Sequence, residues 1–312
     1  MKKLIRNIIL LLLPILLYYG VFLGFVGSVG LPKAIPGATP VATLGQYRAQ
    51  PTTSVILGDS RMAHFDMDAV ERITGRPFTN LAFGGASLNE CLDELEWLLA
   101  RYPQLDEVVF GFTFYNMNQS YDQDRFSAIE TSLYNPFALL TNLSYNLELL
   151  QNLVISLGGG VLGGGETETR DPASYTYVDY TDPATGETVA LRQDIVDYMD
   201  SIGGYTQSWQ PDTEAFARLL EIINTCHARG IRFVVVMPPM HSAVLQHEVR
   251  PTGIEAQMLP MVEDLKQSPA EVLDYELTNR PAFTDDQFFD GLHLDYQRGL
   301  PQWTEMLFSA IA

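Results

Sequence analysis

The stretch Ser54-Val55-Ile56-Leu57-Gly58-Asp59-Ser60-Arg61 decides the fold. Its first four residues make a short apolar, β-branched run suited to a buried strand. Gly58 and Asp59 are turn formers, and a mixed polar and apolar segment follows through Ile73, as a helix lying on a sheet requires. Strand turning into helix is the repeating unit of α/β proteins. Working outward, the unit recurs. Residues 78–83 read as a second strand ending at Gly84-Gly85, and 88–101 as a helix with Leu92, Leu95, Leu98 and Leu99 on one face. Residues 108–114 read as a third strand, apolar except for Thr113, which fits a parallel sheet covered on both faces. After an interruption the rhythm resumes with a helix over 213–228, a strand over 232–237 stopped by Pro238-Pro239, a helix near 254–266, a strand over 272–275 and a last helix after Tyr296. The expected class is α/β, a three-layer sandwich with a mostly parallel central sheet.

Ahead of this pattern, Lys2, Lys3 and Arg6 precede an uncharged run over 8–31. That run exceeds the roughly 20 residues needed to cross a bilayer core. A cleaved signal peptide has a shorter apolar core, about 7–15 residues, although Gly27, Ser28 and Gly30 would admit cleavage. With the basic residues on the N-terminal side, the positive-inside rule places the N-terminus in the cytoplasm and the remainder outside. The expected organisation is a cytoplasmic stub and transmembrane anchor over 1–31, a Pro-, Ala-, Gly- and Thr-rich linker over 32–53, and the α/β domain over 54–312. Location at the cell membrane as a single-pass protein follows. An insertion at about 117–211 interrupts the domain. It is rich in Tyr and Asn, carries the glycine run at 158–165, expected as a mobile loop, and has a hairpin expected around Asp182-Pro183-Ala184-Thr185-Gly186.

The charge excludes one class of partner. There are 38 acidic and 19 basic residues, a formal net charge of -19, which repels nucleic acid instead of collecting it. The two cysteines, Cys91 and Cys226, fall in helical segments and suggest neither a disulfide framework nor a zinc site. The 158–165 run lacks the Lys-Ser/Thr of a phosphate loop, there is no His-Glu-x-x-His, and His241 with His247 has no third ligand at a meaningful spacing. Neither cofactor nor metal is expected. His64 and His227 read as exposed helix residues.

Chemistry gathers at two places. Ser60 stands where a buried strand enters a helix, a turn that exposes a side chain at the carboxyl edge of the sheet and offers helix N–H groups to a developing oxyanion. The same turn also fits a helix cap. A serine needs a base, and the base needs an orienting carboxylate. Asp290-Gly291-Leu292-His293 supplies both: at this spacing Asp290 reaches one ring nitrogen while the other faces a substrate. Arg61, the one cation fixed beside Ser60, and His241, just past Pro238-Pro239, are candidate substrate contacts.

Gly58-Asp59-Ser60 after the first strand, with Asp290-x-x-His293 near the C-terminus, resembles the SGNH hydrolase family, also called GDSL-type esterases, whose fold is flavodoxin-like. The family's second block has an Asn and then a glycine; Asn80-Leu81-Ala82-Phe83-Gly84-Gly85 is similar, which implies Gly85 as a backbone oxyanion donor. The third block departs. The family has Gly-x-Asn there, whereas Gly111-Phe112-Thr113 puts threonine at the Asn position, leaving the nearby Asn116 as the candidate donor. The resemblance implies a Ser60, His293, Asp290 triad in a serine esterase or O-acyltransferase. Anchored members of the family modify envelope polymers, so it also implies a polysaccharide or teichoic-acid-like substrate and partners from an envelope acylation system. Two alternatives stay open: a scaffold protein of the same fold with a weakened site, and a lipase acting on membrane lipids.

Overall fold

Short runs of β-branched and aromatic residues leave no polar face for water, so they close into one sheet buried on both sides. The computed structural model describes residues 1–121, 123–135, 137–158, 171–183 and 185–312. Its strands are β1 (Ser54–Leu57), β2 (Phe78–Asn80), β3 (Glu107–Gly111), β4 (Tyr177–Thr181), β5 (Thr188–Arg192), β6 (Arg232–Met237) and β7 (Glu271–Asp274). Its helices are α1 (Lys2–Val29), α2 (Leu31–Ala34), α3 (Thr39–Ala49), α4 (Met67–Thr74), α5 (Leu88–Arg101), α6 (Phe126–Tyr134), α7 (Phe137–Thr141), α8 (Leu143–Leu157), α9 (Gln193–Gln207), α10 (Thr213–Ala228), α11 (Ser242–Val244), α12 (Ile254–Gln267) and α13 (Leu300–Ile311).

The main sheet has the order β2-β1-β3-β6-β7, and every pair in it is parallel. Ile56, Val109, Val234 and Val236 point to one face, where they join Val70 of α4 and Trp303, Leu307, Phe308 and Ile311 of α13. The alternating residues Val55, Leu57, Val108, Phe110 and Val235 are buried as completely, so a second layer covers the opposite face. The sheet with its two covering layers is therefore an α/β three-layer sandwich. Chain order reverses between β1 and β3, and in such sheets the crevice beyond the carboxyl ends at the reversal is where ligands bind. Ser60 lies at that crevice.

The chain divides into two compact units. The larger, Gln50–Asp124 with Thr167–Ala312, holds the sheet and the antiparallel β4-β5 hairpin. The smaller, Met1–Ala49 with Arg125–Glu166, is helical. This division corrects two expectations. Residues 32–53 are not an extended linker: Pro32 opens α2, α3 follows, and Ile35, Ala38, Val41, Leu44 and Tyr47 are buried at three-residue spacing. Proline at a first helical position starts a helix instead of breaking one. The insertion at 117–211 is also not one body, since α6, α7 and α8 belong to the smaller unit while the hairpin and α9 belong to the larger. Of the glycine run only Gly158 is described, as the cap of α8; 159–165 and Ala184 lie outside the described residues.

Candidate active site

The turn after β1 is shaped by Gly58, whose φ of 146° is closed to other residues. A Cβ there would stand 2.9 Å from Met62 Cγ and 3.2 Å from the Gly111 backbone, so glycine also permits β1 and β3 to approach. Asp59 is buried and holds the turn. One carboxylate oxygen accepts the Arg61 N–H at 3.0 Å and the other accepts the Thr113 hydroxyl at 3.0 Å. Asn80 braces the turn from β2, donating to Met62 O at 2.8 Å. Ser60 is then the half-buried first residue of a single 3₁₀ turn at the sheet edge.

The Asp290 to His293 loop comes back to this edge. Asp290 Oδ1 accepts the N–H groups of Leu292 and His293, both at 2.8 Å, which winds the loop around the carboxylate. Asp290 Oδ2 lies 2.8 Å from His293 Nδ1, and His293 Nε2 lies 2.8 Å from Ser60 Oγ. With the Nδ1 proton donated to Asp290, Nε2 is left to accept the Ser60 hydroxyl proton. Burial pushes the Asp290 carboxyl up, but the hydrogen bond and charge of His293, with the two backbone donors, outweigh it and leave Asp290 below its ordinary range. The carboxylate is thus ionised where it faces the imidazole.

The remaining expected residues divide. Gly85 has φ 63°, and the Phe83 N–H bond to Gly58 O at 3.1 Å sets this glycine pair beside the Ser60 turn. Asn116 is buried, its Oδ1 accepts the Thr113 N–H at 3.0 Å and its Nδ2 donates one hydrogen to Gly111 O at 3.1 Å, so the side chain helps to close the β3 turn. Thr113 is equally committed, to Asp59. The Arg61 guanidinium is buried in an ion pair with Glu276 and also donates to Pro238 O, tying the β1 turn to the ends of β6 and β7, while the residue also lines the small cavity beside Ser60. His241 is engaged by its neighbours as well. It is buried, its Nδ1 accepts the Ala243 N–H, and its Nε2 meets Asp285 at 3.1 Å. Among the described residues no group of three His, Cys, Asp or Glu side chains is placed to hold a metal.

Sequence reading missed several neighbours. Arg192, fully buried at the end of β5, donates to Phe288 O at 2.8 Å and Phe289 O at 3.1 Å, clamping the chain immediately before Asp290. The Tyr198 ring of α9 fills the space above Gly291, where a Cβ would lie 2.6 Å from it. Tyr115 stacks on Tyr205 with centroids 4.5 Å apart, and Tyr121 stands edge-on to both while donating to Gly85 O at 3.0 Å. All four tyrosines are half-buried. Nothing in the spacing of the insertion announces them. His64, expected as an exposed helix residue, instead lies in the turn between the 3₁₀ turn at Ser60 and α4. It is half-buried, tilts against Tyr296 at 5.1 Å, and is pushed down to about 4 by burial and then by the charge of His293, so it is neutral at ordinary pH. Ser60, His64 and His293 open on a small cavity of about 20 Å³ walled by Pro238, Leu292, Tyr296 and Trp303. A cleft of about 500 Å³ adjoins it, sharing His64, Tyr296 and Leu300.

No family model matches the sequence, and no curated protein matches it. Solved structures do show likeness. A protein of Streptococcus pneumonia named for platelet activating factor is similar at 10% identity and a TM-score of 0.42, over 88% of this chain and 91% of that one. A GDSL-like lipase of Bacteroides thetaiotaomicron is similar at 10% identity and a TM-score of 0.37, over 88% and 100%. A carbohydrate acetylesterase of Sinorhizobium meliloti is similar at 11% identity and a TM-score of 0.35, over 83% and 97%.

Proposed function

We propose that the protein is an SGNH-type serine esterase or O-acyltransferase, tethered outside the membrane by α1, that acts on short acyl esters of envelope glycopolymers. The observation that carries this reading is the continuous hydrogen-bonded line from Asp290 through His293 to Ser60, at 2.8 Å on each side of the imidazole. His293 takes the Ser60 proton as Oγ bonds to the ester carbonyl carbon. It then gives that proton to the leaving alkoxide as the C–O bond breaks, and an acyl-serine remains. Water, or a sugar hydroxyl, repeats the sequence in reverse. The N–H groups of Ser60 and Gly85 are the oxyanion donors in this account, with no side chain completing the set. A missing donor typically costs about 3–4 kcal/mol in the transition state, so turnover is slow but not abolished.

Two features support the substrate class. A cavity of about 20 Å³ beside Ser60 has room for roughly one water molecule, which suits the methyl of an acetyl group, and the adjoining cleft of about 500 Å³ is where a longer acyl chain would have to lie. Tyr115, Tyr121 and Tyr205 pack on one another beside Gly85, and Tyr198 packs on Gly291, an aromatic cluster whose half-buried rings suit sugar rings. The test is a chain-length series of chromogenic esters on wild type and Ser60→Ala. Acetyl esters should be preferred and Ser60→Ala should be inactive; equal rates for long-chain esters would remove the acetyl reading. One observation favours a second reading, a scaffold protein without turnover: both Thr113 and Asn116 are committed to structural bonds. Folded wild type that hydrolyses no ester in the series would leave that reading ahead.

A further inference from the structure

Helix α8 turns apolar residues to both sides: Tyr145 and Leu149 are buried, yet a second apolar stripe faces outward, flanked by the exposed Ser144 and Gln151. Three of its polar residues bond within the smaller unit. Asn146 Oδ1 accepts the Tyr18 hydroxyl of α1 at 2.7 Å, Glu148 accepts the Gly37 N–H at 2.9 Å, and Asn152 donates to Ala34 O at 3.2 Å. Its outward stripe is apolar. Leu143, Leu147, Leu150, Val154 and Leu157, spaced alternately by four and three residues, are 73%, 58%, 41%, 68% and 79% exposed, and no charge interrupts them. Phe137 of α7 extends the same surface at 73%. Soluble helices place the apolar stripe inward, and polar residues that face in toward a partner are the pattern of helices in lipid.

Beside the stripe, α1 carries no charge after Arg6 and reaches α8 through Tyr18 on Asn146. From Leu10 to Leu13 four consecutive side chains of α1 are exposed, so among the described residues none covers that part of the helix. Cover begins at Tyr18 and Tyr19, which donate to Asn146 and to Leu140 O at 2.8 Å, and deepens at the buried Phe22 and Phe25. At 1.5 Å per residue, Tyr18 lies about 15 Å beyond Ile8, roughly halfway through a hydrocarbon core of about 30 Å. The α8 stripe is about 21 Å long, too short to span that core but long enough to lie within one leaflet.

We propose that α7 and α8 form a second membrane element, a helical hairpin that docks on the outer half of α1 and buries its apolar stripe among the acyl chains of the outer leaflet. The proposal rests on the reading of α1 as a membrane anchor. The polar bonds between α8 and the N-terminal segment then lie on the side away from lipid, where unpaired groups would be costly.

The test uses the full chain in lipid nanodiscs, with a bimane fluorophore on single introduced cysteines; native Cys91 and Cys226 are buried. Labels on Leu150→Cys and Val154→Cys should lose emission when the acyl chains are brominated and should resist aqueous iodide. A label on Leu12→Cys reports the anchor separately, and one on Asn224→Cys, exposed on α10, supplies the aqueous reference. Iodide quenching at Leu150 and Val154 with lipid quenching at Leu12 would overturn the proposal and leave the anchor standing. Iodide quenching at all positions would overturn both. Protection of the α8 labels from both quenchers would show a protein surface covering the stripe, such as a second copy of this chain, and would also overturn it.

Discussion

Asp290→Asn isolates the proton logic of the site without dismantling its loop. In the native protein Asp290 Oδ1 accepts two backbone N–H groups, from Leu292 and His293, while Oδ2 faces His293 Nδ1. An asparagine keeps the two backbone bonds only by placing its carbonyl oxygen at Oδ1, which turns its NH₂ toward Nδ1. Two donors cannot face each other, so the imidazole proton moves to Nε2, and Nε2 can then no longer accept from Ser60 Oγ, 2.8 Å away. The geometry survives and the base is lost. In triads of this kind the wrong tautomer lowers kcat by about 10⁴, or about 5 kcal/mol in the activation barrier. The assay is hydrolysis of a chromogenic acetyl ester near neutral pH, with kcat and KM separated and a thermal melt on the same samples. The expected result is a collapse of kcat with KM and melting little changed. A kcat within about tenfold of wild type, in folded protein, would refute the claim that Asp290 sets the tautomer of the catalytic base.

Gly58→Ala should destabilise the larger unit by roughly 2 kcal/mol or more, because its φ of 146° strains any side chain and the new Cβ would press on Met62 and on the Gly111 backbone; an unchanged urea midpoint would count against this packing. Asn116→Ala should lower stability by about 1–3 kcal/mol for each backbone group left unpaired, while kcat per folded molecule stays near wild type. A loss of about 10²–10³ in kcat at full stability would instead restore Asn116 as an oxyanion donor. Because His64 is pushed down from 6.5 to about 4, the unfolded chain takes up a proton across that window that the folded chain refuses. Its contribution to stability is therefore complete above pH 6.5 and falls as pH drops toward about 4, by on the order of 3 kcal/mol. His64→Leu should flatten the pH dependence of the melting curve in that window, and an unaltered slope would contradict the burial argument.

The α/β rhythm was legible because each strand is apolar on both faces and each helix carries one apolar stripe. The helices over 88–101 and 213–228 and the strand over 232–237 fall where the pattern put them. Ser60, Asp290 and His293 were legible as motifs and their meeting as what the family resemblance implies, but the clamp on the loop that carries His293 was not, since it comes from Arg192 in the insertion. The structural partners of Arg61, His241 and Asn116 were not legible for one reason. Nearness to a catalytic motif in sequence says nothing of which buried group will bond a polar side chain, and Glu276, Asp285 and the β3 turn bond these three. The segment over 32–53 hid its helices because Pro and Gly were weighed as breakers, although its apolar residues already recur every third position. The outward apolar stripe of α8 was invisible from composition alone, since only the structure shows which side Glu148 and Asn152 take.

The central claim is that Ser60 is an activated nucleophile. Intact and peptide mass spectrometry after exposure to a fluorophosphonate tests it without requiring the natural acyl donor to be known, because the adduct does not turn over. The account predicts one adduct per chain, on the peptide that contains Ser60, absent from Ser60→Ala and formed far more slowly by Asp290→Asn. Folded wild-type protein that forms no adduct, or forms it on another residue, would contradict it.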